Sequence, residues 1–138
     1  MSIHPEWCLH IFSNRDKIYE VRKRVPKLEP PYKVYVYCTL KEPKILRYCD
    51  GEFKRIVNGF VMGEFTCERV LKVNSPFKGK EVGTCLTTRD LVSYAEGKDL
   101  YFLRIQNPIT YTTPKALEEF EVARPPQSFQ FVEVLKNG

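Results

Sequence analysis

Extended segments dominate this chain, and they follow one another without helices long enough to serve as crossovers. The clearest is Lys33-Val34-Tyr35-Val36-Tyr37-Cys38-Thr39, in which Val34, Val36 and Cys38 take one face and Lys33, Tyr35, Tyr37 and Thr39 the other. Lys17–Arg24 reads as an earlier strand, stopped by Pro26, Pro30 and Pro31. Residues 59–71 form a long strand, and Gly63 within it marks a bulge or a close backbone approach. Leu100–Ile105 is a buried strand that Ile109–Thr112 continues or pairs with, and Ser128–Leu135 closes the series. Residues 40–58 are polar, with Cys49-Asp50-Gly51-Glu52 as a hairpin turn.

Helices are few and short. Met1-Ser2-Ile3 is a short strand leading to a helix that Pro5 opens, with Trp7, Ile11 and Phe12, beside Cys8, as its apolar face; Ser13-Asn14 ends it. Thr87 or Thr88 caps a second helix through Ala95, stopped at Gly97. Thr113-Pro114 reads as the N-cap and first position of a third, through Phe120. About six strands without long crossovers exclude a doubly wound sheet. They favour an α+β domain, a small mixed or antiparallel β-barrel with two or three short helices at its ends. A chain of 138 residues without repeats or a linker fits one domain, residues 1–138.

Charge is distributed unevenly. Residues 1–55 hold twelve Lys and Arg against seven Asp and Glu, whereas residues 56–138 hold ten against ten. The whole net charge of +5 therefore falls in the first 55 residues, which points to an anionic partner. Its densest part is Arg15-Asp16-Lys17-Ile18-Tyr19-Glu20-Val21-Arg22-Lys23-Arg24. No apolar run approaches the ~20 residues that a spanning helix needs. The first residues lack the features of a signal peptide, so a cytoplasmic location without membrane contact is expected. Five cysteines, odd in number and unevenly spaced, suggest reduced thiols, with Cys8, Cys38 and Cys67 as small buried hydrophobes. With no CxxC pair and only His4 and His10, neither a metal site nor a cofactor is expected.

Several segments resemble the PUA-like superfamily, and within it the ASCH-domain branch with its small phage-type relatives. They are Ser2-Ile3-His4-Pro5-Glu6-Trp7-Cys8, Lys17-x-x-Glu20-Val21-Arg22, Tyr35-Val36-Tyr37-Cys38-Thr39, Val61-Met62-Gly63-Glu64-Phe65 and Arg124-Pro125-Pro126-Gln127-Ser128-Phe129. Their order and spacing carry the resemblance across nearly the whole sequence. It implies a compact β-barrel whose cleft accepts nucleic acid or a single nucleobase, RNA before DNA. Lys17, Glu20 and Arg22 match the family pattern G-x-K-x-x-E-x-R, with Arg15 in the glycine position. The resemblance also implies a hydrolytic alternative, an amidohydrolase of N-acylated nucleosides such as N4-acetylcytidine. Glu20 stands where those enzymes carry a threonine.

The residues themselves support a binding site of Lys17, Glu20, Arg22, Lys23 and Arg24, with Tyr35 and Tyr37 as stacking surfaces. If the protein is an enzyme, Lys17 and Glu64 are the chemical pair. Each also has a plain explanation. Glu20 and Arg22 can be a surface salt bridge worth ~0–1 kcal/mol, the tyrosines ordinary sheet packing, and Lys23 and Arg24 a solvated strand edge. Arg124–Ser128 reads as a turn that locks the last strand. A third reading uses the scaffold for protein contacts alone. Ligand identity and oligomeric state stay open.

Overall fold

The computed structural model describes residues 1–49 and 53–132. Seven strands run through them: β1 (Ser2–Ile3), β2 (Tyr19–Arg22), β3 (Tyr32–Cys38), β4 (Leu46–Cys49), β5 (Phe53–Ile56), β6 (Val61–Val73) and β7 (Leu100–Lys115). Two helices accompany them. The first, α1 (Pro5–Cys8), runs on into a π turn at Leu9–Ser13, and the second is α2 (Thr88–Ala95). A 3₁₀ turn at Leu117–Phe120 follows β7.

The main sheet has five strands in the order β1-β3-β6-β7-β2, and β4 and β5 form a separate hairpin. Every pairing in the main sheet is antiparallel except β1 with β3. The architecture is thus α+β, but the expected closed barrel is not formed. The edge strands β1 and β2 do not pair; they have only two and four residues, too few to carry a closing ladder. The expected last strand is absent over residues 128–132, where the chain is irregular, and residues 133–135 lie outside the described residues. One bond, from the Ser2 N–H to the Ser128 carbonyl at 2.9 Å, takes the place of a ladder.

Local sequence explains most of the elements. In β3, Val34, Val36 and Cys38 point into the main core, as the alternation requires. Tyr37, expected on the polar face, is nonetheless buried, since the 3₁₀ turn and the chain around Phe129 cover that face. The β4–β5 pairing is that of a hairpin; its turn, expected at residues 49–52, includes positions outside the described residues. Helix α2 begins where Thr87 Oγ1 accepts from the Asp90 N–H at 3.1 Å and the Asp90 carboxylate accepts from the Thr87 N–H at 2.9 Å. It ends at Glu96 with φ 51°, followed by Gly97 with φ 81°.

Two further expectations are corrected. Lys17 and Ile18 precede β2 rather than lying in it, and Lys23 and Arg24 follow it. Thr113-Pro114 does not start a helix, because pairing with β6 keeps residues through Lys115 extended. The short turn starts three residues later, with Ala116 at its N-cap and Leu117 as its first residue.

Two cores flank the sheet. In the larger, Cys8, Ile11 and Phe12 from the first helix and π turn pack on Val34, Val36, Met62, Phe65 and Leu103. In the smaller, Leu91 and Ala95 of α2 cover Val21, Phe77, Leu100 and Phe102. Asn58 anchors the hairpin: its side chain accepts from the Ile45 N–H at 2.8 Å and donates to the carbonyls of Thr39, Lys41 and Pro43. No helix among the described residues is long and apolar enough to cross a membrane.

Gly63 shows what close approach means here. A Cβ on it would collide with the Ile109 carbonyl oxygen and lie 2.8 Å from Phe12 Cε1. Backbone cannot move aside as a flexible side chain does, so Gly63→Ala is expected to cost about 1–3 kcal/mol. Urea unfolding measures it, and a cost near zero would show that β7 yields at Ile109.

Candidate functional site

Strand β2 is the floor of a cleft of about 1100 Å³, walled by Trp7 of α1, Tyr94 of α2 and the segment Gln127-Ser128. Lys17, Glu20, Arg22, Lys23 and Arg24 all line it. Glu20 and Arg22 share a face because two strand residues separated by one point the same way. Val21 between them turns to the smaller core, which holds the strand in place.

Lys17, Glu20 and Arg22 form a connected buried group. The Lys17 side chain is 1% exposed and that of Glu20 5%, with Lys17 Nζ 3.8 Å from Glu20 Oε1. Lys17 Nζ donates to the Thr84 carbonyl and lies 5.1 Å from the centre of the Trp7 ring. Burial pushes its ammonium below the ordinary lysine range, while the charges of Glu20, Cys85 and Asp16 pull it back up.

Arg22 serves as a latch. One nitrogen donates to Glu20 Oε2 at 3.1 Å and to the Ser2 carbonyl at 3.2 Å. Its other terminal nitrogen donates to the Ser128 carbonyl at 3.1 Å and to Ser128 Oγ at 2.9 Å. The guanidinium therefore joins β2 to β1 and to residue 128 across the gap that strand pairing leaves open. This is not the exposed salt bridge that would contribute little. The segment Arg124–Ser128 does act as a lock, but on the first strand: Ser2 Oγ donates to the Pro126 carbonyl at 2.6 Å.

Glu20 Oε1 has a different status. At 3.8 Å from Lys17 Nζ it is ion-paired but beyond hydrogen-bond distance. An acceptor with unused capacity sits at the cleft floor. Around the rim, Lys23 is 3.4 Å from Glu96 Oε1 and 4.8 Å from the Tyr94 ring centre. Arg24 is exposed and has no protein partner among the described residues.

Tyr35, Tyr37 and Glu64 lie elsewhere. The Tyr35 ring packs on Phe120 at 5.0 Å between centroids, and both tyrosines line a small apolar cavity of about 140 Å³ with Val61 and Phe129. Glu64, paired across strands with Tyr35, is 3.1 Å from Lys33 Nζ and accepts from the Tyr111 hydroxyl at 3.0 Å. The structure does not bring Lys17 and Glu64 together. Residues 126–129 separate the two spaces, with Gln127 and Ser128 facing the cleft and Pro126 and Phe129 the cavity.

Sequence reasoning missed Trp7, Tyr94 and Ser128 as parts of the cleft, and Thr84 as the acceptor behind Lys17. Trp7 is the one tryptophan of the chain, and its signal was absorbed by its place on an apolar helix face. Thr84 and Ser128 meet the charged group from 67 and 106 residues away, and no local pattern encodes such contacts.

Arg22→Ala would leave the Glu20 carboxylate without its hydrogen-bond donor. The expected loss is about 3–5 kcal/mol, the cost of breaking a buried pair from one side. Arg22→Lys should recover only part of it, because one ammonium cannot span four acceptors. Chemical denaturation checks both, and a loss below about 1 kcal/mol would mean that solvent reaches Glu20.

Neither a protein-family model nor a curated protein matches the sequence. Solved structures do match the fold. The crystal structure of ASCH from Zymomonas mobilis superposes with a TM-score of 0.70 at 20% identity, covering 96% of this chain and 85% of that one. A point variant of the same protein gives 0.70 at 19% identity over 96% and 88%. At this identity the likeness speaks of architecture. The chain has the fold of that ASCH structure.

Proposed function

We propose that the cleft binds a nucleobase, carried by single-stranded RNA or as a nucleoside, with RNA preferred to DNA. The observation that carries this reading is Glu20 Oε1, an acceptor at the cleft floor held beyond hydrogen-bond distance of its Lys17 partner, in a cleft that Trp7 also lines. A buried ion pair is a poor stabiliser, since apolar residues of similar volume often serve as well or better. A fixed acceptor next to an aromatic wall is what a base with an exocyclic amine requires. Stacking on one aromatic ring contributes about 1–3 kcal/mol per base. The preference for RNA rests on the family resemblance alone.

The charges refine the proposal. Lys17, Arg22, Lys23 and Arg24 face the cleft, but so do Glu6, Glu20, Asp90 and Glu96. Such a lining does not suit a continuous phosphate track. Lys23 and Arg24, at the rim, are placed to meet the phosphates flanking one inserted base.

A second reading, hydrolysis of an N-acylated nucleoside, draws on Lys17, whose ammonium burial pushes down. Glu64 is remote from it, so Glu20 would have to move the proton. Turnover of N4-acetylcytidine by the wild type, lost in Lys17→Ala, would support this reading, and no turnover would end it.

Because Trp7 is the only tryptophan, its fluorescence reports binding directly. Cytidine and a short cytosine-rich RNA are expected to quench it, and uridine, which lacks the amine, to quench it less. Two phosphate contacts correspond to a log–log salt slope near −1.4, at about −0.7 for each phosphate of a single strand. Lys23→Ala with Arg24→Ala should flatten that slope and leave cytidine quenching intact. Unchanged fluorescence with RNA, DNA and every nucleoside at low salt would overturn the proposal.

A further inference from the structure

Outside the cleft floor, three ligand-type side chains from separate parts of the chain converge. His10 lies in the π turn, Asp16 in the turn that precedes β2, and Cys85 in the loop before α2. Their donor atoms all lie within 4.8 Å of one another, and His10 Nδ1 is 2.8 Å from Asp16 Oδ1. We propose that His10, Asp16 and Cys85 bind one divalent transition-metal ion of the Zn²⁺ type, with a fourth position open to water.

The dimensions fit. Tetrahedral bonds of ~2.0 Å to nitrogen and oxygen and ~2.3 Å to sulfur place neighbouring donor atoms roughly 3.3–3.6 Å apart. The cluster can adopt that spacing with small side-chain movements. The donor set fits as well, since imidazole and thiolate select Zn²⁺ over Mg²⁺ or Ca²⁺. On binding, the thiol loses its proton. The imidazole coordinates through Nδ1 in its neutral Nε2–H tautomer, in which Nδ1 carries no proton toward Asp16.

The backbone fixes this convergence. The His10 carbonyl accepts from the N–H groups of Asp16 at 3.1 Å and Lys17 at 3.4 Å. The Gly83 carbonyl accepts from Ile18 at 2.7 Å and Tyr19 at 2.9 Å, which ties the Cys85 loop to the same stretch. Two non-glycine residues are held at positive φ to deliver the ligands, Arg15 at 55° just before Asp16 and Cys85 itself at 60°. Such conformations cost about 1–3 kcal/mol each and cluster where function demands them. The Trp7 ring stacks on the His10 ring at 5.9 Å with 29° between planes, orienting it. An ion can enter from solvent, since the His10 side chain is 29% exposed and that of Asp16 53%.

The ion would act on the cleft from behind. It would clamp the loop that presents the Thr84 carbonyl to Lys17 and steady the Trp7 wall against His10.

The test needs no nucleic acid, so its failure would leave the nucleobase proposal standing. After incubation with Zn²⁺ and removal of excess, the protein should retain one equivalent per chain. Titration with Co²⁺ should produce a thiolate-to-cobalt charge-transfer band in the near ultraviolet. Cys85→Gly removes the thiolate while relieving the positive φ, so it should fold, lose the band and bind more than ~100-fold more weakly, given that loss of outer partners alone costs ~10–100-fold. Asp16→Asn should weaken binding with the band kept. Failure to retain one equivalent, or a band that persists in Cys85→Gly, would overturn the proposal.

Discussion

The guanidinium of Arg22 is the interaction on which the rest depends. An open five-stranded sheet with edges of two and four residues has no ladder to hold its ends in register. A planar group with five donors can join what strand pairing leaves apart, because it reaches several acceptors in one plane. It holds β1, β2 and the 126–128 segment around the buried Glu20 carboxylate. Glu20 is bound through one oxygen, and its other oxygen is thereby turned to the cleft. The same contact that completes the architecture presents the acceptor that makes the cleft chemically distinctive.

Much of this was legible in the sequence where the physics is local. The alternation from Lys33 to Val36, the Thr87 cap and the close approach at Gly63 each follow from a few neighbouring residues and appear as expected. Thr113-Pro114 carried an equally good local signal for a helix start, and sheet pairing overrode it. Lys115 stays opposite Val61 at the far end of β7, so local propensity lost to a long-range ladder. The barrel failed for a related reason: nothing in Ser128-Phe129-Gln130 reveals that its role is to supply acceptors to Arg22 rather than a strand.

The site was half legible. Spacing put Lys17, Glu20 and Arg22 together, but it could not distinguish a side chain that meets ligand from one that holds the wall. Tyr35, Tyr37 and Glu64 looked eligible because they share the polar face of the sheet. That face belongs to a different space, which the 126–129 segment walls off. Convergence of His10, Asp16 and Cys85 is beyond pattern reading altogether, since their neighbourhood is set by backbone bonds among three segments.

The meeting of Ser2 with Ser128 has a consequence for the order of events in the cell. A ribosome delivers β1 and β2 early, yet the acceptors that satisfy Arg22 arrive more than a hundred residues later. Until then the guanidinium has only its nearer partners and the cleft lacks its third wall. A complete cleft is therefore the last feature the nascent chain acquires. A chain halted before residue 128 could form most of the sheet and still present no finished pocket.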